Sequence, residues 1–573
     1  MRSVSEPAPV GARSAVHWKL RPAPGDFLNL AQQLNIQPVT ARLLVSRGIK
    51  SPATAHRFLS PDWNDILNPR DLPDLDRAVA RTVRAIQHQE RILVFGDYDV
   101  DGIMATAILA TAIRIAGGDA SWSLPHRLLD GYGLRERHVD GANEKGAAII
   151  ITADCGVRSH DAVRYAKTRR IDVIVTDHHR PDQDLPPAIA IVNPNLSGSG
   201  YANTHLCGAG VAYQFVSELF RAMRISDRRI RELLASFVKL AAIATISDVM
   251  PLIGENRAIV HLGLRGLADT RAPGLRLLLE SAGVRNGHSV TPREIAFRVA
   301  PRINAAGRLE HASFIMDLLE TRDEEKARVL VEALETINYR RKQEQTRILD
   351  EIRHLSEADA KLRILVFSRR GWHRGVLGIV AARLVERFRR PVFVLSEEND
   401  FAYGSGRSIP GIDLNSLLER VRHHLETFGG HEQLAGLALR TARITAFRED
   451  ICAVCPEIPA EDVIEIDANL RLAEIADVWP EIRRMEPFGH GNANPVFATR
   501  VQIESPPVFV SRCVSKIRVR QNGRMFELKH FGAGGSGVNA IPGARMDMAY
   551  SLLPDRWRRE GFGIVLEALR PAE

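Results

Sequence analysis

The stretch Phe95-Gly-Asp-Tyr-Asp-Val-Asp-Gly102 constrains this chain more than any other. The apolar run Ile92-Leu93-Val94-Phe95 ahead of it reads as a buried parallel strand that Gly96 ends. Asp97, Asp99 and Asp101 then recur at every second position, so an extended backbone puts all three carboxylates on one side. Like charges held that close repel strongly unless divalent cations sit among them. The run from Gly102 to Ala110 reads as an apolar helix. Strand, acidic turn and helix set the carboxylates at the carboxyl end of a strand, where open α/β sheets bind ligands. Asp-x-Asp-x-Asp-Gly also echoes a calcium loop. Such a loop carries Glu at its twelfth position, and here that position is Ile108, inside the apolar helix.

The chain then alternates strand and helix. A second strand, 147–151, ends in Thr152-Ala153-Asp154-Cys155-Gly156, and a third, 171–175, ends in Thr176-Asp177-His178-His179. β-α-β units of this spacing predict a doubly wound parallel sheet that gathers these ends on one edge. Either Asp154 or Asp177 alone could simply cap a following helix. The coincidence of three acidic strand ends asks for more. Asp177 with His178 is a ligand set suited to manganese or magnesium, while His179 can orient a phosphate or protonate a leaving oxygen. Asp248, at the end of the apolar run 240–247, is costly there unless paired or ligating. Asp97, Asp99, Asp101, Asp154, Asp177, His178 and Asp248 can therefore hold two cations, an arrangement suited to in-line displacement at phosphorus. No Gly-x-x-x-x-Gly-Lys-Ser/Thr loop is present, which argues against ATP hydrolysis.

With 573 residues the chain has room for several domains. Its net charge of +8 points to a polyanionic partner. The tail from Ser511 onward carries eleven Lys and Arg against six Asp and Glu. Five cysteines make no disulfide framework, which suits a reducing cytosol, and neither a signal peptide nor a membrane span is expected. Cys452-Ala-Val-Cys455 has metal-ligand spacing but no second pair, so core packing is the reading adopted.

The metal-site residues resemble the DHH phosphoesterase family, named for the Asp-His-His at 177–179, and within it the RecJ-type exonucleases. The resemblance continues through Pro125-His-Arg127, Gly131-Tyr-Gly-Leu, Cys207-Gly-Ala-Gly-Val-Ala, Ser247-Asp-Val-Met-Pro-Leu and Pro301-Arg-Ile-Asn-Ala-Ala-Gly-Arg-Leu. It then runs through His373-Arg-Gly-Val-Leu-Gly, Gly404-Ser-Gly-Arg-Ser-Ile-Pro-Gly and Gly429-Gly-His-Glu-Gln-Leu-Ala-Gly. It implies an α/β chain with a DHH domain at 76–322, after a helical lead-in (1–75) packed on it and disordered at its start. A connecting helix (323–358), a DHH-associated substrate-binding domain (359–460) and an OB-fold barrel (461–573) follow. Arg127, Arg302, Asn304 and Arg308 are expected at the nucleic acid, as are Ser405, Arg407 and Ser408, with glycine amides of 404–408 approaching a phosphate; a structural salt bridge at Arg302 or Arg308 and an ordinary tight turn at the glycines are the alternatives. Gly429, Gly430 and His431 are expected to do likewise. Arg340, Arg341 and Lys342 read as a solvated helix face, and Phe509, Phe526, Phe531 and Trp557 as core residues or base-stacking platforms.

The resemblance implies a cytoplasmic, monomeric 5′→3′ exonuclease that uses two Mn2+ or Mg2+ ions to hydrolyse single-stranded DNA to 5′-mononucleotides, in recombination and repair. A helicase and a single-strand-binding protein are its implied partners. The alternatives are an oligonucleotide phosphodiesterase and a non-catalytic DNA-binding scaffold of the same fold. Two positions depart from the family pattern. Cys155 stands where Asn is usual, and Phe95 where some relatives carry a histidine.

Overall fold

A computed structural model describes residues 17–284, 287–355, 362–458, 463–511, 514–531, 540–555, 558 and 560–572. Contacts divide the chain into two compact units, one of residues 49–338 with 482–494, the other of the remaining segments.

In the first unit a five-stranded parallel sheet is built from β1 (Arg91–Gly96), β2 (Asp119–Ser123), β3 (Ala147–Ala153), β4 (Asp172–Thr176) and β5 (Ala190–Val192), in the order β2-β1-β3-β4-β5. Alternation along the strands sends side chains to two cores, as the period of two requires. Ile92, Val94, Ile149 and Ile151 face α1 (Val100–Ile115), α2 (Gly208–Ala222) and α3 (Asp227–Ser247). Leu93, Phe95, Ile150 and Val173 face the helices Glu136–Glu144 and His160–Thr168. The sheet is therefore doubly wound. Its order reverses at β1, so the carboxyl ends of β1 and β3 flank the crevice that such a reversal opens.

The second unit holds another five-stranded sheet and a barrel. β6 (Leu365–Arg370), β7 (Val392–Glu398), β8 (Phe401–Arg407), β9 (Leu425–His431) and β10 (Leu434–Arg440) run in the order β9-β10-β8-β7-β6. β11 (Val496–Ser511), β12 (Val514–Gln521), β13 (Arg524–Phe531), β14 (Arg545–Pro554) and β15 (Phe562–Pro571) pair in sequence β11-β12-β13-β15-β14, and β14 returns to β11 to close a five-stranded barrel.

Several expectations are corrected. His17–Leu20 is a strand, paired in parallel with Val463–Ile466. Residues 17–48 of the lead-in pack within this second unit, where Arg42 Nε donates to the Asp467 carbonyl and the Gln37 amide to Glu481, and residues 49–75 belong to the first. Arg341, on the helix Glu324–Leu355, is buried and donates to Gln345 Oε1. Phe509 is 57% exposed, between exposed Val508 and Val510, and belongs to no core. Trp557 lies outside the described residues. Residues 482–494 pack with the first unit although barrel strands follow them.

Candidate active site

The site assembles at the carboxyl ends of β1, β3 and β4. Asp99 caps α1, its Oδ1 accepting from the amides of Asp101 (2.9 Å) and Gly102 (3.1 Å). That turns Asp97 and Asp101 inward. A Cβ on Gly102 would stand 2.6 Å from the Asp97 backbone, so only glycine lets the chain fold back here. Asp101 is held from the N-terminus of α2, where the amides of Gly208 and Ala209 donate to it at 2.6 and 2.7 Å. This is the structural use of the Cys207-Gly-Ala-Gly motif: the positive end of a helix meets a carboxylate. Asp154 sits just past β3 at φ 63, a left-handed conformation that aspartate tolerates, with its amide bonded to the Thr176 carbonyl.

Ligand-capable atoms gather within 4.8 Å of one another in three overlapping groups: Asp97 with Asp99 and Asp154; Asp101 with His178 and Asp248; and Asp154 with His178 and His179. The first two share no residue and have room for one cation each. His178 Nε2 lies 3.1 Å from Asp154 Oδ1, 3.6 Å from Asp248 Oδ2 and 3.7 Å from Asp101 Oδ2. Asp97 Oδ1, Asp154 Oδ1 and Asp248 Oδ2 are buried and accept no hydrogen bond of acceptable geometry. Burial, then the neighbouring carboxylates, pushes Asp97, Asp154 and Asp248 well above the usual carboxylate range. Burial also raises Asp101. Such a group ionises only if positive charge is supplied, and hard oxygen donors with one imidazole suit Mn2+ or Mg2+. The residues present fit divalent cations.

Asp177 stands apart from the other predicted ligands. It joins none of these groups. Its Oδ2 accepts from the Val157 amide (3.0 Å), and its Oδ1 accepts from the His178 amide (2.7 Å) and meets His179 Nδ1 at 2.8 Å. Burial opposes its charge, yet the His179 bond and both imidazoles hold Asp177 below the ordinary value. In return, and against burial, Asp177 pushes His179 up to about 9. His178 is lowered by burial. The two neighbouring imidazoles are therefore shifted in opposite directions, His178 toward the neutral form that a ligand needs and His179 upward. Tyr132, of Gly131-Tyr-Gly-Leu, was given no role by sequence. Its hydroxyl lies 3.0 Å from His179 Nδ1 and donates to the Asp154 carbonyl. Only the fold puts it there, across 47 residues from His179.

Cys155 is buried in a core, its Sγ 3.7 Å from the Phe95 carbonyl, and burial, then the nearby Asp177 and Asp97, push its thiol up. Arg127 stacks on Tyr98 (4.5 Å), and both Arg127 and Arg308 act on the Tyr98 phenol, which burial and Asp97 push up to about 12. The helix Ala300–Leu309, which carries half-buried Asn304, meets the acidic loop at Gly307, where a Cβ would stand 2.7 Å from the Tyr98 carbonyl. Arg302 turns elsewhere. It pairs with Glu335 and donates to the carbonyls of Arg298 (2.6 Å) and Ser281 (3.0 Å), an engagement that favours the structural salt bridge over the phosphate clamp.

In the second unit the expected phosphate loop at 404–408 is mostly strand. β8 is paired on both sides, so its amides belong to the ladder. Gly404 and Gly406 admit Leu395 and Phe393, where a Cβ would meet them at 2.2 and 2.3 Å. Ser405 and Arg407 lie on the opposite face, near Gly378. Ser408 is buried and donates to the Ile412 carbonyl. Gly429, Gly430 and His431 are exposed on the edge strand β9, and Gly430 passes so close to the Leu434 carbonyl (2.2 Å from a Cβ) that no side chain fits. His423, His424 and Asp450 form an unforeseen cluster, with His424 Nε2 2.7 Å from Asp450.

Fold and carboxylate cluster define a DHH-type domain, and the DHH family, N-terminal domain, matches residues 91–245. The DHHA1 domain matches 361–457 and the RecJ OB domain 466–561. The chain is 31% identical over 555 residues to the single-stranded-DNA-specific exonuclease RecJ of Bacillus subtilis, covering 95% of this chain and 69% of that protein. It is 35% identical to RecJ of Dickeya dadantii, covering 81% and 83%. The structure of Thermus thermophilus RecJ in complex with Mn2+ superposes with a TM-score of 0.83 at 30% identity, over 97% of this chain and 80% of that one. Its Mg2+ complex gives 0.78 at 28%. The chain belongs to the RecJ family of single-stranded-DNA-specific exonucleases.

Proposed function

We propose that this chain hydrolyses single-stranded DNA from the 5′ end, releasing 5′-mononucleotides. One observation carries the chemistry: five carboxylates and one imidazole divide into two disjoint triads in which three buried oxygens, Asp97 Oδ1, Asp154 Oδ1 and Asp248 Oδ2, accept no hydrogen bond. Asp97, Asp99 and Asp154 would hold one divalent cation, and Asp101, His178 and Asp248 the other. Bound there, two such ions lower the pKa of water and neutralise charge developing on the phosphoryl oxygens.

The residues do the rest. Water attacks phosphorus and loses a proton to solvent, the bond from phosphorus to the 3′-oxygen of the terminal nucleotide breaks, and that oxygen takes a proton. His179 is suited to give it. With Nδ1 held by Asp177, which raises its basicity, it presents Nε2 to the leaving oxygen. Tyr132 and Asp177 keep the ring from turning. Arg127 and Arg308, beside the acidic loop, supply charge for the phosphate backbone. In the second unit Ser405, Arg407, Gly429, Gly430 and His431 are the substrate contacts this reading assigns.

No helix among the described residues is long and apolar enough to cross a membrane. The reading places a monomer in the cytoplasm, acting in recombination and repair on strands that a helicase exposes and a single-strand-binding protein coats. The test uses single-stranded DNA labelled at either end, in manganese and in chelator. Immediate release of mononucleotide from the 5′ label, abolished by chelator, is expected. Binding without cleavage in any divalent metal would refute the enzyme and favour the scaffold.

A further inference from the structure

We propose that His490 is a positioning residue for Asp248, and that the segment Met485–Asn492 is the strap that carries it. The proposal rests on the reading of Asp248 as a cation ligand. Asp248 caps the end of α3, and one of its buried oxygens accepts no hydrogen bond. That oxygen lies 3.6 Å from His178 Nε2, and the backbone on either side of Asp248 sets where the carboxylate can reach. That backbone is strained. Val249 is β-branched and 65% exposed, yet has φ 56 in the left-handed region, a conformation that persists only where its surroundings enforce it.

Part of the enforcement is local, since the Val249 amide donates to Ile246 and the Met250 amide to Thr245 as the helix ends, and further contacts come from a segment 241 residues away. His490 Nδ1 lies 2.9 Å from the Val249 carbonyl, so that nitrogen carries the proton and donates. The Leu252 amide in turn donates to the His490 carbonyl at 2.7 Å. One residue thus ties both ends of the turn Val249–Leu252. The approach needs the two flanking glycines. A Cβ on Gly489 would stand 2.7 Å from Leu252 Cδ1, and one on Gly491, at φ 74, would stand 3.0 Å from Pro251 Cβ.

The strap itself is pinned by buried polar groups. Arg257 is buried and donates from Nη2 to the carbonyls of Arg484 (3.2 Å) and Glu486 (2.7 Å), with its guanidinium 3.9 Å from the Phe58 ring. Asn492 Nδ2 donates to the carbonyls of Met485 and Pro487, both at 2.9 Å. A rigid, twice-anchored loop held against a strained turn beside a ligating carboxylate is how an outer contact orients a ligand. His490 itself is exposed, so replacing it leaves no cavity.

The experiment compares His490→Ala and His490→Asn with the full-length wild type; Asn retains a donor in place of Nδ1–H. The readouts are Mn2+ binding by electron paramagnetic resonance, hydrogen exchange across residues 249–252, and kcat and KM on single-stranded DNA. His490→Ala is expected to bind Mn2+ about tenfold more weakly, with lower kcat and unchanged KM. It should exchange faster at 249–252, and His490→Asn should recover most of each loss. Unchanged exchange at 249–252, or unchanged Mn2+ affinity alongside a wild-type kcat, would overturn the proposal. An Asp248→Asn control separates the layers. If it binds Mn2+ as the wild type does, the ligand reading fails and the proposal with it. If it loses an ion while His490→Ala does not, only the strap fails.

Discussion

Gly208→Ala tests how tightly the acidic cluster is built. An ideal Cβ at Gly208 would stand 2.5 Å from Asp154 Cβ and 2.7 Å from its Oδ1. Neither partner can yield freely. Asp154 is buried in a left-handed turn whose amide is bonded to Thr176. If α2 retreats instead, the Gly208 and Ala209 amides leave Asp101. Overpacking of this kind costs about 1–3 kcal/mol in the chelated protein. The displaced Asp154 should also weaken cation binding about tenfold, as loss of ligand geometry commonly does. The two effects separate by thermal or urea unfolding in chelator and in manganese. At a concentration 100 times the wild-type Kd, bound metal stabilises by about 2.7 kcal/mol; a site tenfold weaker gains about 1.4. The variant should thus lose roughly 1.3 kcal/mol of metal-dependent stabilisation beyond its loss in chelator. Equal stability in chelator together with an equal gain from manganese would refute the packing argument.

Three further outcomes are expected. Because Asp97, Asp154 and Asp248 have folded-state pKa values raised by burial, their contribution to stability in chelator is complete below about pH 4 and drains as pH rises toward the folded values. Saturating manganese should reverse that slope, which denaturation at several pH values would show. Arg302→Ala should lose about 1–3 kcal/mol of stability through the Glu335 pair and two carbonyl bonds, while KM for DNA stays unchanged. A raised KM without loss of stability would restore the phosphate-clamp reading. Phe509→Ser, at an exposed apolar tip, should leave the unfolding midpoint unchanged and raise KM several-fold, since a stacked base contributes about 1–3 kcal/mol. An unchanged KM would remove Phe509 from the substrate path.

What could be read without coordinates is what local periodicity carries. Alternation at two residues placed Asp97, Asp99 and Asp101 on one side of an extended segment, and apolar runs broken by aspartate marked the ends of β3 and β4. A parallel sheet follows from strand–helix spacing, because connections between its strands are short and of one hand. Ordered motifs carried the resemblance through the first two family domains, and strand-like stretches with Gly-rich turns suggested the barrel. Long-range packing decided the rest. Asp177 and Asp154 look alike in sequence, each at a strand end, yet Asp177 spends its oxygens on Val157, His178 and His179 while Asp154 leaves one bare. Glycines at 404 and 406 read equally well as a phosphate loop or as space for Leu395 and Phe393, and only pairing on both edges of β8 separates the two. Arg341 sits in a charged run, and a helix face becomes inside or outside only once its neighbours are placed. Asp101 is fixed by amides 107 and 108 residues away, and Val249 by a histidine 241 residues on. No pattern within a window of the chain encodes such pairings, because they exist only after the chain has closed on itself.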